Sequence, residues 1–367
     1  LFRLFIRVQA TFVHYEMSNE LVIGQRRVGP GHPVYVIAEL SANHGQDFDQ
    51  AVRIIRAMKE SGADAVKVQT YTADTLTIPC DNEYFRIGGG TLWDGRTLHD
   101  LYQEAYMPWD WQPKLQAITE ELGMDFFSTP FDDSAVDFLE AMAVPVHKVA
   151  SFELVDIPLL KKIAATKKPV IASTGMATQE EIAEAVKTLR AGGCTQLALL
   201  KCTSAYPALP EEMNLITIPD ISKRFDVPAG LSDHTMGHTV PVAAVALGAC
   251  IVEKHFTLDR KVPGPDSTFS LEPQEFKAMV EAIRVTERAL GKVNYEVSAN
   301  ESKSRQFRRS LFVVADMQAG EPFTPKNVRS IRPGHGLHTR HLAEALGQKA
   351  AKNIQAGTPL AWELIAR

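Results

Sequence analysis

A chain of 367 residues, 45% hydrophobic and 23% charged, has the composition of an ordinary folded protein with room for one large domain and a small one. Its net charge of −5 argues against a nucleic-acid-binding face and against adsorption to anionic lipid, yet leaves room for a local cationic pocket that takes a small anion. No apolar run approaches the roughly 18 residues of a membrane span. Cys80, Cys194, Cys202 and Cys250 show neither metal-site spacing nor a disulfide framework, so the expectation is buried thiols in a reducing, cytoplasmic setting.

Residues 1–16 hold an apolar segment broken by Arg3 and Arg7, without the uninterrupted apolar core or small-residue cleavage site of a secretory signal. With Met17 following, they read as a leader or a non-native extension outside the fold. From residue 34 one pattern repeats: an apolar run, a polar end, a helical segment. The runs are VYVIAEL (34–40), AVKVQT (65–70), MDFFSTP (124–130), VHKVASFE (146–153), PVIASTG (169–175), LALLKCT (197–203), AGLSDHT (229–235) and IVEKHFT (251–257). They are continuously apolar rather than alternating, as parallel strands buried on both faces require.

Between them lie amphipathic helices, with Val52, Ile55 and Met58 on one face and Phe276, Val280 and Ile283 on another. Thr178 followed by Glu181 is a capping box. Eight such units over roughly 250 residues predict an α/β fold, a (β/α)8 TIM barrel over 17–291; the polar strand ends favour closure over an open doubly wound sheet.

Residues 72–110 form a long insertion after the second strand, rich enough in aromatics to be an ordered lid or interface loop. Gly88-Gly89-Gly90 lacks the following Gly-Lys-Ser/Thr of a phosphate loop and reads as a flexible turn. Residues 292–308 are polar and aperiodic, a linker. A small unit over 309–367 repeats a turn motif at Gln318-Ala319-Gly320 and Gln355-Ala356-Gly357. At that size it is expected to depend on another surface for stability.

In a closed parallel barrel, chemistry gathers at the C-terminal strand ends. Those ends supply Glu39, Ser41, Asn43 and His44, then Lys67 and Gln69, Ser128 and Thr129, Lys148, Ser151 and Glu153, Ser173 and Thr174, Thr203, Ser204 and Tyr206, Ser232, Asp233 and His234, and His255, with Asp266 just beyond. Lys67 alternates with Val66 and Val68, and Lys148 stands beside Val149, so both should point into the barrel. Buried ammonium groups are costly unless they meet anions. With the neighbouring hydroxyls they can take a phosphate and a carboxylate together, or else pair internally with Glu39 and Glu153. His234 and His255, on adjacent strands, either cap their strands with hydrogen bonds or hold one divalent metal between them, with room left for water and substrate.

The segments IAELSANH, AVKVQT, FFSTPFD, HKVASFE, IASTGM, CTSAYPA, GLSDHT, EKHFT and PGPDSTFS, followed by SIRPGHGL, resemble the sialic-acid synthase family over about residues 20–367, including its C-terminal antifreeze-like (SAF, β-clip) domain. The resemblance implies condensation of phosphoenolpyruvate with the open-chain aldehyde of an acylamino sugar. It implies that His234 and His255 hold a divalent metal, Mn²⁺ or Mg²⁺, and that Glu39 and Asp266 orient bound water and move protons. Lys67, Thr129, Lys148, Ser151, Ser204 and Ser232 would bind phosphoenolpyruvate, and Gln69, Glu153 and Tyr206 the sugar. Arg332 would reach the active site of a partner subunit in a domain-swapped homodimer.

Within the family, SANH, ASFE, CTSAYP and the LWDGRTLHDLYQEAYMPW insertion resemble the pseudaminic-acid-forming branch, whose sugar is 2,4-diacetamido-2,4,6-trideoxy-L-altrose. Ser204 stands where N-acetylneuraminate synthases carry Asn, and Phe152 where they carry Gly. The alternatives are a legionaminate or N-acetylneuraminate synthase, or a carbohydrate-binding SAF protein on an inactive barrel.

Overall fold

The computed structural model describes residues 20–366; the segment 1–16, expected to be a leader or extension, lies outside them. The first element is a hairpin of β1 (Leu21–Ile23) and β2 (Arg26–Val28), turned at Gly24 in the left-handed region, φ +56°. Strands of three residues are too short to leave a periodic signal, and the sequence does not announce them. Leu21, Ile23 and Val28 are fully buried among Tyr35, Ile37, Phe127, Ile171, Leu200 and Ile251, the apolar filling of the barrel. Each contributes roughly 1.5–3 kcal/mol by leaving water. Arg26 pairs at 2.8 Å with Asp125, which also accepts from the Tyr35 hydroxyl at 2.8 Å. Both Tyr35 and Asp125 open their strands, so the hairpin plugs the N-terminal mouth.

Eight parallel strands close into one barrel in chain order: β3 (Tyr35–Glu39), β4 (Ala65–Thr70), β5 (Asp125–Pro130), β6 (His147–Val149), β7 (Val170–Ser173), β8 (Leu197–Cys202), β9 (Ala229–Asp233) and β10 (Ile251–His255), which pairs back onto β3. All eight apolar runs are strands. The fourth, β6, is shorter than its sequence suggests. It ends at Val149, and the polar residues after it turn into a 3-10 segment, Phe152–Val155. The same happens after β3, where Ser41 takes a left-handed φ of 49° and opens Ser41–His44. Rim residues leave the ladder there, which lets their side chains converge.

Helices cover the outside. Helix Phe48–Glu60 starts at Asp47, whose side chain accepts from Gln50 N, and buries Ile54, Ile55 and Met58 against Val36 and Val66. The Thr178–Glu181 box is formed, Thr178 Oγ1 accepting from Glu181 N at 3.2 Å and Glu181 Oε2 from Thr178 N at 2.7 Å. The insertion after β4 carries the helices Ala73–Leu76 and Leu98–Ala105, each opened by a threonine cap. Trp109 ties its end down by donating to Tyr71 O at 3.0 Å.

The chain divides into two units, one ending at Gly291 and the other beginning at Lys292. Residues 292–308 are not featureless, as their composition suggests: Ser298 and Glu301 form a capping box and open the helix Ala299–Ser304. The second unit pairs β11 (Ser310–Val313) with β12 (Val328–Ile331) antiparallel over a core of Leu311, Val313, Phe323, Val328, Ile354 and Leu360. Its two Gln-Ala-Gly turns follow Met317 and Ile354, which exchange backbone hydrogen bonds of 2.8 and 2.9 Å, so the repeated motif builds a paired turn. Among the described residues no helix is long and apolar enough to cross a membrane.

Candidate active site

Strand register assembles the site. His255 lies opposite Glu39, and Glu39 opposite Lys67, so three neighbouring strands present three polar groups at one level. On the other flank of β10, Ser232 lies opposite Glu253, and Cys202 opposite Ser232. Side chains alternate along a strand. Below these groups the lumen is apolar, which keeps water from entering underneath.

Lys67 Nζ sits 2.9 Å from Glu39 Oε2 and 3.5 Å from Glu253 Oε1, and donates to Thr129 Oγ1 at 3.4 Å. Lys148 Nζ donates to Ser173 Oγ at 2.6 Å and to Val149 O at 2.9 Å, with Glu253 Oε1 3.9 Å away. Burial disfavours both ammonium groups. For Lys67 the carboxylates of Glu253 and Glu39 outweigh it and raise its pKa. For Lys148 burial wins and the pKa falls.

Glu253, absent from the set read from sequence, is the point on which both lysines converge. It also accepts from Ser232 Oγ at 3.2 Å. Burial pushes its carboxyl up, but Lys148 and Lys67 together hold it below the ordinary value. Counting two residues back from His255 along β10 puts Glu253 on the same face, a signal present in the sequence.

The internal pairing weighed from sequence is therefore half met: Lys67 does pair with Glu39. Glu153, by contrast, makes no ion pair with Lys148. Its Oε2 is buried without a hydrogen-bond partner, and burial raises its carboxyl to about 7. The early end of β6 carries Glu153 off the strand that holds Lys148.

Three hydroxyl-bearing loops meet around Gly175. Its N–H donates to Ser151 Oγ at 3.1 Å. A Cβ there would run into Ser204 Oγ and fall 2.7 Å from Ser151 Oγ, so a larger residue must push these hydroxyls apart. Cys202 belongs to the same group, its sulfur 4.0 Å from Ser204 Oγ and from His234 Nδ1. It is buried, as expected of a structural thiol, yet it lines the lumen.

His234 and His255 face each other with ring centroids 5.3 Å apart. His234 Nδ1 donates to Thr203 O at 3.0 Å, which leaves the Nε2 lone pair free. His255 Nδ1 is buried with no hydrogen-bond partner. Burial drives the His255 imidazole well below its ordinary value, so it is neutral. Two facing imidazoles, one with an orphaned nitrogen, fit a divalent cation. Among the described residues no cluster of three or more His, Cys, Asp and Glu forms a metal cage, so water and substrate would complete such a site.

Behind this pair, on the helix side of the wall, Lys254 Nζ lies 2.5 Å from Asp233 Oδ2 and also donates to Thr235 O. Asp233 in turn accepts from Thr235 N and Oγ1, both at 3.0 Å. This closed ion pair ties together the ends of the two strands that carry the histidines.

One hydrogen-bonded chain connects the acids of the rim. Gln69 Nε2 donates to Glu39 Oε1 and to Ser41 Oγ, both at 2.9 Å, and the Ser41 hydroxyl donates to Asp266. Asp266 also accepts from Ala42 N at 3.3 Å. Burial raises both Glu39 and Asp266 above ordinary carboxylates, against the pull of Lys67 on Glu39 and of Ser41 on Asp266.

Tyr206 stacks at 4.4 Å from His234 and 5.0 Å from Phe269, and Phe269 lies 4.9 Å from His255. Asn43 and His44 stand apart. Asn43 bonds Phe256 O and Ser270 Oγ, and His44 packs on Trp111, so both serve the frame. Arg332 belongs to the second unit, where it is exposed and lines an open hollow with Arg308, Arg309 and Phe307.

Residues 54–295 match the model of the NeuB family, and residues 308–366 match the SAF domain. The chain is 44% identical over 336 residues to the pseudaminic acid synthase of Helicobacter pylori, covering 91% of this chain and 98% of that one. It is 36% identical to the N,N'-diacetyllegionaminic acid synthase of Legionella pneumophila, over 95% of this chain and 99% of the relative. The crystal structure of an N-acetylneuraminic acid synthetase from Leptospira borgpetersenii superposes with a TM-score of 0.70 at 31% identity, over 79% of this chain and 96% of that one. A closed barrel with lysines, acids and facing histidines at one rim thus coincides with the family match, and the chain belongs to the NeuB family.

Proposed function

We propose that this chain is a pseudaminic acid synthase, a transferase that condenses phosphoenolpyruvate with 2,4-diacetamido-2,4,6-trideoxy-L-altrose and water to give pseudaminic acid and phosphate. The observation that carries the reading is the convergence of two buried lysines on one point of the lumen, beside two facing histidines. Lys67 and Lys148 take the phosphate and carboxylate of phosphoenolpyruvate, with hydroxyls from Thr129, Ser151, Ser204 and Ser232 filling the remaining acceptor positions. Such an anion finds donors already in place, and the apolar floor below strengthens each contact. His234 and His255 hold the divalent ion, Mn²⁺ or Mg²⁺, which supplies Lewis-acid polarisation of the sugar aldehyde when bound.

In the reaction the enol C3 forms a bond to the aldehyde carbon, and positive charge develops at C2. Water adds at C2, and the tetrahedral product expels phosphate by C–O cleavage. Glu39 and Asp266, both raised by burial above ordinary carboxylates, are placed to hold and pass protons. Gln69 anchors Glu39 and, with Glu153 and Tyr206, borders the space left for the sugar. Arg332 of the partner subunit would contact the N-acyl group in a domain-swapped homodimer; its exposure on a small second unit supports that role. The enzyme would work in the cytoplasm, where phosphoenolpyruvate is made.

The altrose sugar is favoured over its relatives by the higher identity to the pseudaminic acid synthase, 44% against 36% for the legionaminic acid synthase. The test is phosphate release by the purified protein supplied with phosphoenolpyruvate and this sugar. Release should stop on chelation and return with Mn²⁺, and the product should have the mass of a nine-carbon 2-keto acid without phosphate. Turnover untouched by chelator would refute the role of the histidine pair.

A further inference from the structure

The 72–110 insertion places one indole at the barrel mouth. Trp93 stands on a turn locked from within: Asp94 accepts from Gly90 N and Thr91 N at 2.8 Å each and from Thr91 Oγ1 at 2.7 Å. Ile87 and the Gly95–Arg96 pair close the turn's base with backbone hydrogen bonds of 2.8 Å. From it the Trp93 indole N–H donates to Pro265 O at 3.0 Å, one residue before Asp266. The indole ring lies 5.7 Å from Tyr206, which itself stacks on His234 and Phe269. Phe269 in turn flanks His255. A continuous aromatic wall therefore starts at the two histidines and ends, outward, at Trp93, which is only partly covered.

We propose that Trp93 is a specificity-determining residue whose indole receives the apolar far end of the sugar. The inference rests on the reading of function given above. If the aldehyde carbon meets the histidine pair, an open-chain hexose runs outward along this wall, and its sixth carbon comes to the Trp93 end. In the trideoxy sugar that carbon is a methyl group, whereas N-acetylmannosamine carries a hydroxymethyl there. An indole face suits the methyl by hydrophobic contact and offers a hydroxyl no acceptor or donor in return. The N–H latch to Pro265 uses the indole's one polar atom and holds the face toward the site.

Steady-state kinetics of W93A and W93F test this. W93A should raise KM for the 6-deoxy sugar by about tenfold or more, the scale of discrimination by a small apolar group, with KM for phosphoenolpyruvate within about twofold of wild type. W93F keeps a ring and should recover most of that loss. Preference for the 6-deoxy sugar over its 6-hydroxy analogue should fall in W93A by a similar factor. Sugar titration should also shift tryptophan emission in wild type and much less in W93F, a readout available should W93A fail to fold. An unchanged sugar KM in W93A, or equal rises for both substrates that Phe does not rescue, would overturn the proposal. A wild-type enzyme that ignores the altrose sugar would instead refute the reading of function, which the same assay shows before any variant is made.

Discussion

Lys148 and Lys254 are buried almost equally, at 1% and 0% exposed, on strands of the same barrel, yet they face opposite sides of its wall. Lys254 looks outward to the helices and is satisfied there by Asp233 and Thr235, in a pair with no opening to solvent. Lys148 looks into the lumen, where its donors go to a hydroxyl and a carbonyl, and its nearest carboxylate, 3.9 Å away, is shared with Lys67. Two ammonium groups meet two carboxylates here, but the close contacts, 2.9 Å to Glu39 and 3.5 Å to Glu253, belong to Lys67, so Lys148 is the less neutralised of the two. A fully paired cation is frame; an under-neutralised one awaits an anion. The distinction lies in the partners rather than in burial.

That contrast can be broken from either side. Lys148→Met keeps the side chain's length but removes its charge, and should lower kcat/KM for phosphoenolpyruvate by about 10³-fold, the upper range for deleting one preorganised donor. Its melting temperature should stay near or above wild type, because a buried charge only loosely paired with Glu253 has gone while Lys67 still faces that carboxylate. Lys254→Met should do the reverse. It strands Asp233 in the wall and should cost about 3 kcal/mol or more in a denaturant titration, the low end for breaking a buried pair. Any fall in activity there should track a weaker Mn²⁺ affinity measured on the apo protein. If Lys148→Met unfolds the protein and Lys254→Met does not, the assignment of the two lysines is reversed.

A smaller effect is expected at Gly175, where an added Cβ meets the hydroxyls of Ser204 and Ser151. Gly175→Ala should raise KM for phosphoenolpyruvate by roughly tenfold, equivalent to about 1.4 kcal/mol, with little change in the metal's affinity.

The mildest test concerns Glu153, a carboxyl that makes no ion pair and is lifted by burial from 4.5 to about 7, against the pull of Lys148 and Lys67. The folded state keeps a proton there that the unfolded chain has already released. The stability this group contributes is therefore full below 4.5 and is lost as pH rises through about 7. Glu153→Gln, neutral throughout, should gain in melting temperature relative to wild type across that window, and a constant difference between the two would contradict the account.

Much of the barrel is legible in the sequence because eight runs buried on both faces cannot be mistaken for alternating half-buried strands. Lys67, flanked by Val66 and Val68, shows its direction by the same count, and register does the rest by setting it beside Glu39 and His255. The plug at the barrel floor is hidden because Leu21–Ile23 and Arg26–Val28 are too short to carry a period. Glu253 is readable in EKHFT only once His255 is known to face the lumen. Ser151 and Ser204 are grouped only through the family resemblance, and their meeting at Gly175 is not readable from the residues, since it joins three loops whose approach depends on the closed barrel. That Glu153 does not pair with Lys148 is hidden, because nothing in VHKVASFE shows the strand stopping at Val149.

Selection of one particular acylamino sugar for condensation with phosphoenolpyruvate is the property this rim must show. Its most direct test is the steady-state rate of phosphate release from phosphoenolpyruvate by the wild-type protein with Mn²⁺ and each of three sugars: the trideoxy altrose, the legionaminic acid precursor and N-acetylmannosamine. Turnover with the altrose sugar and little with the other two is the expected result. Turnover of N-acetylmannosamine with none of the altrose sugar would contradict it.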